Sequence, residues 1–222
     1  MRLCITASLL KSKEELKREE EIMEVEYVTI EREYGSGGTE IAAKLADRCK
    51  IACYGAEIME LAAKELHLSV AQAQQYEEKI TGSFLYSVFA MNQLQTGNAE
   101  MLSMEGRLYV AERSAICSLA HYGRAVFVGH CASEALKDKD GVLHVFIRAS
   151  EEFKNRRAVS SYGIEEKNAE AVCRRFNRKR AKYYAFNTTK KWDDMSNYDM
   201  ILDSSRIGID GCVEAIAAVL GE

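Results

Sequence analysis

From Val25 onward, short apolar runs alternate with longer stretches in which apolar residues recur every three or four positions. Tyr27-Val28-Thr29-Ile30 is a β-rich run. The glycine-rich segment after it leads into residues 41–50, where Ile41, Ala42, Leu45 and Ala46 share one side at helical spacing. Ile51 to Tyr54 predicts a second short strand, and residues 57–79 and 101–121 each predict a helix. Ala125 to Gly129 and Val142 to Ile147 are continuous apolar runs bounded by turn residues, the form of strands buried on both faces of a parallel sheet. Asp199 to Asp203 reads as a last strand, and Asp210 to Leu220 as a closing helix capped by Asp210 and stopped at Gly221. Strands alternating with helices predict a parallel α/β sandwich. Residues 81–100 break the rhythm, with Gly82, Gly97 and several Asn and Gln. A helical insertion over a ligand cleft and a partner-binding segment both fit them.

Residues 1–24 stand apart. Met1 to Leu10 is mildly apolar but runs into the charged block from Lys11 to Glu24, whereas a secretory signal ends in small residues. No stretch approaches the roughly 18 apolar residues that span a membrane. The expectation is an N-terminal extension over 1–24, one domain over 25–222, a cytoplasmic location and no membrane partner.

Composition adds three points. The chain of 222 residues has no proline, where average usage would give about 11. Turns and helix stops therefore fall to Gly, Asn, Asp and Ser. Its seven cysteines are odd in number and scattered, which reads as reduced thiols rather than a disulfide framework. Cys49 and Cys53 are the one close pair, at a spacing unlike a zinc ribbon. A net charge of −4 argues against a nucleic-acid partner, because such binding needs a basic field.

Candidate chemistry starts at the turn after the first strand. Gly35, Ser36, Gly37, Gly38 and Thr39 join a strand to a helix, where free amides and the helix dipole favour an anion. Thr39 is placed to cap the helix or to reach a metal ion. The plainer reading is a turn that only redirects the chain. The loop lacks the lysine of the GxxxxGK[ST] pattern: Gly38 stands at that place, and Arg32 at the first glycine. Arg32 is then the cation at hand for phosphates. A second feature is basic: Arg156, Arg157, Arg174, Arg175, Arg178, Lys179 and Arg180 crowd a mostly acidic chain. Arg174 and Arg178 share one helix face, and Arg180 lies on another. Solvated basic faces explain some of these, while phosphoryl transfer needs such cations around the migrating group.

The run Val28-Thr29-Ile30-Glu31-Arg32-Glu33-Tyr34-Gly35-Ser36-Gly37-Gly38-Thr39-Glu40-Ile41-Ala42 resembles the cytidylate kinase-like family. Tyr54-x-x-Glu57-Ile58, Val128-Gly129-x-Cys131-Ala132, Val142 to Ile147, Lys191-Trp192 and Ser196-Asn197-Tyr198-Asp199 extend the resemblance over about residues 25–220. It implies a P-loop, nucleoside monophosphate kinase-like fold, with a five-stranded parallel sheet between helical layers, a helical acceptor region and an arginine-rich lid over about 153–192. The implied activity is transfer of the ATP γ-phosphate, with Mg2+, to a nucleotide substrate such as CMP or dCMP. The implied sites are Tyr34, Gly35, Ser36, Gly37, Gly38 and Thr39 for the nucleotide, with Thr39 also at the metal. Arg32, Arg156 and Arg180 are implied for catalysis, and Tyr54, Glu57, His130, Arg174, Asn177 and Arg178 for the acceptor. A homo-oligomer is left open.

The chain also departs from the family pattern. Gly55, Ser133 and Asn177 stand where the family usually has Asp, and His130 where it has Arg. Cys173 replaces a lid-helix arginine, and Ala52 and Met195 replace prolines. These changes motivate an alternative: a catalytically weakened nucleotide sensor or scaffold on the same fold.

Overall fold

A computed structural model describes residues 24–78 and 102–222. The elements are β1 (Tyr27–Arg32), α1 (Gly38–Cys49), β2 (Ala52–Tyr54), α2 (Ala56–Glu65), α3 (Val70–Glu78) and α4 (Met104–Leu119). Then follow β3 (Ala125–Val128), α5 (Ala132–Ala135), β4 (Val142–Arg148), α6 (Glu151–Tyr162), α7 (Glu166–Thr188), β5 (Met200–Asp203) and α8 (Ser204–Val219). The five strands form one parallel sheet in the order β2-β3-β1-β4-β5. β1 is central, with Tyr27 opposite Ala125 on one side and Val142 on the other.

Strand periodicity divides β1 between two layers. Val28 and Ile30 join Val126, Val128, Val145 and Ile147 against Ile41 and Leu45 of α1 and Val213 and Ile216 of α8. Tyr27 faces the opposite layer, where Phe127 packs with Ile58 and Ile116. On that side Phe146, Trp192, Tyr183 and Tyr184 form a further cluster under α7. A fully buried side chain such as Phe127 contributes about 2–3 kcal/mol by its burial. The three-layer α/β arrangement expected from the alternation is the one observed.

Three boundaries differ from the sequence reading, each for a local reason. The helix expected over 57–79 is two, α2 and α3, because the chain turns at Leu66 to Ser69 with His67 left-handed at φ 56°. α8 starts at Ser204, and its cap is Asp203, whose carboxylate accepts from the Ser205 amide at 3.1 Å. Gly208, at φ 75°, interrupts that helix, and Asp210 accepts from Lys44 at 2.8 Å instead of capping it. α4 begins at Met104, capped by Ser103, which accepts from the Gly106 amide. Residues 1–23 of the expected extension, and residues 81–100, lie outside the described residues. Among the described residues no helix is long and apolar enough to cross a membrane, and six cysteines are free thiols.

Candidate functional site

The C-terminal ends of β1, β3 and β4 converge on the glycine loop. Ser36 is fully buried: its amide and hydroxyl both donate to the Glu33 carbonyl, and its own carbonyl accepts from Ser204 at 2.6 Å. Gly35 and Gly37 are left-handed, at φ 84° and 80°. A Cβ on Gly35 would lie 2.7 Å from the Lys154 carbonyl oxygen, and one on Gly37 would strike Ile209. Glycine is therefore required at both places by backbone angle and by space. No side chain caps α1, so the first amides of this 12-residue helix remain open to an anion.

Two cations of α6 flank this loop. Lys154 is 2% exposed and donates to Glu33 at 3.0 Å and Glu151 at 2.7 Å. Burial opposes its charge, and these two carboxylates more than restore it, raising its pKa. Arg157 donates to Glu40 at 2.8 Å, and its Nε is buried without a partner, 3.5 Å from where a Gly37 Cβ would stand. A third tether ties Tyr34 to α7: its amide donates to Asn177 Oδ1 at 2.7 Å, and its ring stacks on Phe176 with centroids 4.5 Å apart.

Beside the loop, under α7, lies a cavity of about 440 Å³. Glu31, Arg32, Glu77, His130, Lys179, Arg180 and Tyr183 are among its lining residues. The Arg32 guanidinium packs directly over Gly129, where a Cβ would collide with it, and its Nε is buried without a partner. Arg180 donates to the Arg32 carbonyl at 2.7 Å. Burial, and then the neighbouring Arg32 charge, pull Arg180 down to about 9, and burial also lowers Arg32. Two desolvated guanidiniums sharing one wall make a site that calls for an anion.

In the same cavity, His130 Nδ1 is 3.0 Å from Glu112, a fully buried carboxylate that also accepts from the Tyr183 hydroxyl. Burial lowers the His130 pKa, but the Glu112 charge and hydrogen bond, helped by Glu77, outweigh it, and the net shift is upward. Glu31 accepts from Trp192 Nε1 at 3.0 Å.

The residues named from sequence fall in several places. Arg32, His130 and Arg180 meet at the cavity, and Tyr34 to Thr39 form the loop beside it, with Thr39 exposed on the first turn of α1. Arg156 points to solvent and pairs with Glu152 on the outer face of α6; it is its neighbour Arg157 that lies against Gly37 of the loop. Glu57 accepts from the Gly55 amide at 3.0 Å at the start of α2, and Tyr54 packs against Phe127. Arg174, Asn177 and Arg178 line a second cavity, of about 540 Å³, on the β4–β5 side of α7.

Glu112, Glu77, Tyr183 and Lys154 were not singled out from sequence, and Arg157 was named only as one of the basic cluster. For Glu112 a signal exists: it lies four residues after Leu108 and four before Ile116, on the buried stripe of α4.

Comparisons with known proteins agree with this architecture. A family model described as the cytidylate kinase-like family matches residues 27–206. An uncharacterized protein from Eubacterium ventriosum has a solved structure with a TM-score of 0.63 and 23% identity, covering 88% of this chain and 98% of its own. Shikimate kinase from Bacteroides thetaiotaomicron gives 0.53 at 13% identity, covering 88% and 98%. TT1252 from Thermus thermophilus gives 0.50 at 14%, covering 89% and 97%. At these identities the likeness is one of fold. No curated protein matches the chain.

Proposed function

Because the chain belongs to the cytidylate kinase-like family, we propose that it transfers the γ-phosphate of ATP to a small anionic acceptor, with CMP and dCMP the first to test. The observation that carries this reading is the Arg32–Arg180 pair, desolvated on one cavity wall beside an uncapped, glycine-flanked helix start. Phosphoryl transfer is positioning plus charge stabilisation, so cations on both sides of the transferred group are its main requirement. Arg157 and the open amides of α1 would hold the ATP phosphates. Arg32 and Arg180 would hold the acceptor's anion and neutralise charge between the two.

Among the described residues no three His, Cys, Asp or Glu groups form a metal cage. The donor set suits Mg2+ carried by phosphates and water, with the exposed Thr39 hydroxyl as the protein's contribution. Bound there, Mg2+ would supply charge neutralisation on the phosphates.

The test is ADP release from the full chain with ATP, Mg2+ and a panel of monophosphates. Release dependent on one acceptor, and lost in Arg32→Met, is the expected result. A second reading, a nucleotide sensor, is favoured by the hold of Asn177 on the Tyr34 amide and the close packing of the Lys154 backbone against Gly35. Its signature is thermal stabilisation by ATP with no transfer to any acceptor.

A further inference from the structure

A phosphate acceptor already presents an anionic oxygen and needs no base to attack ATP. The acceptor cavity nevertheless contains a built proton acceptor. His130 follows Gly129 just beyond the C-terminal end of β3, held left-handed at φ 54°. Its Nδ1 meets Glu112 at 3.0 Å, and the imidazole forms part of the cavity wall. A carboxylate placed fully inside the apolar stripe of α4 costs several kcal/mol unless it is well paired. Here it accepts from both the imidazole and the Tyr183 hydroxyl. With Glu112 as acceptor, the neutral ring carries its proton on Nδ1 and leaves the Nε2 lone pair free to take another.

We propose that the acceptor is a small molecule bearing both an anionic group and a hydroxyl, and that the hydroxyl, deprotonated by His130, is the group phosphorylated. This rests on the phosphotransferase reading above and narrows its acceptor. The anion, carboxylate or phosphate, binds Arg32 and Arg180. The hydroxyl oxygen attacks the γ-phosphorus, forming an O–P ester bond. The bond from that phosphorus to the β,γ-bridging oxygen breaks, and ADP leaves with its electron pair. The hydroxyl proton passes to Nε2 and returns to solvent after product release. Glu112 is a positioning residue: it fixes the ring and its tautomer without touching the acceptor.

The charged and titratable groups around His130 come from five elements: Arg32 and Glu31 of β1, Glu60 of α2, Glu77 of α3, Glu112 of α4, and Lys179, Arg180 and Tyr183 of α7. Glu112 and Glu77 favour the imidazolium, whereas Arg32 and burial oppose it. Transfer should therefore fall on the acid side as Nε2 becomes protonated.

The experiment incubates the full chain with ATP and Mg2+ and two panels, nucleoside monophosphates and hydroxylated carboxylates or sugar phosphates. Phosphorus NMR then distinguishes a phosphate ester from a phosphoanhydride. The expected product is an ester. His130→Asn, a residue suited to the left-handed backbone, should lower kcat by roughly 10²–10⁴-fold with KM within about threefold. Glu112→Gln, which keeps the shape of the pair, should move the acid limb of the kcat profile to lower pH. A purely structural histidine would leave that limb in place.

A phosphoanhydride product would overturn this inference and leave the phosphotransferase reading standing. Ester formation with an unmoved acid limb in Glu112→Gln, or with full kcat in His130→Asn, would overturn the dyad's role. No transfer to either panel by protein that ATP stabilises would overturn both readings.

Discussion

The arginine pair sets up a test that needs no knowledge of the acceptor. Arg180 is held at about 9, against about 12.5 for an ordinary arginine. A difference of about 3.5 in pKa, at about 1.4 kcal/mol each, is a cost of about 5 kcal/mol for keeping the charge in the folded, unliganded protein. Both folded and unfolded chains are charged at pH 7, so the folded state bears this cost there, and sheds it only as pH rises through about 9. Arg180→Met removes the charge and also the bond to the Arg32 carbonyl, a loss of about 1–2 kcal/mol. The net expectation is a variant more stable by about 3 kcal/mol at pH 7, or roughly 6–12 °C in Tm for a chain of this size. Urea and thermal unfolding without ligand measure it. Inorganic phosphate at millimolar concentration should then raise the Tm of the native chain more than that of Arg180→Met, which keeps the glycine loop's own anion site. An unliganded variant less stable than the native chain, or equal stabilisation of both by phosphate, would refute the argument that the pair is strained in readiness for an anion.

Other consequences follow from neighbouring contacts. The raised His130 pKa means that the charged pair with Glu112 supports folding below the ordinary histidine value and that this support is lost as pH rises through the raised one. Urea midpoints at pH 6 and pH 8 should therefore differ less in His130→Asn than in the native chain. Gly35→Ala combines a φ of 84° with a backbone clash against Lys154, and should cost at least about 2 kcal/mol in chemical denaturation. Arg156→Ala, at an exposed pair with Glu152, should change stability by less than about 0.5 kcal/mol. Arg157→Ala should weaken ATP binding measured by calorimetry, and equal affinities in the two variants would argue against Arg157 as the cation of the loop.

Much of the fold could be read because its signals are local. The apolar runs of β1, β3, β4 and β5 are continuous, since a parallel sheet covered on both faces leaves no polar side to alternate with. The glycine loop announces itself by composition. The break between α2 and α3 did not, because Leu66 to Ser69 contain no Gly, Pro or Asn, and a left-handed histidine makes the turn. The cavity was only half legible. Arg32, His130 and Arg180 stand in recognisable runs, whereas Glu77, Glu112 and Tyr183 join them only when α3, α4 and α7 close over the sheet, Tyr183 lying 71 residues from the Glu112 it bonds to. Arg156 and Arg157 illustrate the finest limit: adjacent in sequence, they point about 100° apart on a helix, and only packing decides which faces the loop.

The bond from the Tyr34 amide to Asn177 has a practical corollary. Most backbone amides near a sheet are protected by other backbone groups, but this one is covered by a side chain from α7. Its protection against hydrogen exchange therefore lasts only while α7 is docked on the loop, and ends when the two separate, even with every strand intact. A single amide thus serves as a gauge of how often that helix lifts, readable in the unliganded chain and again after ATP is added.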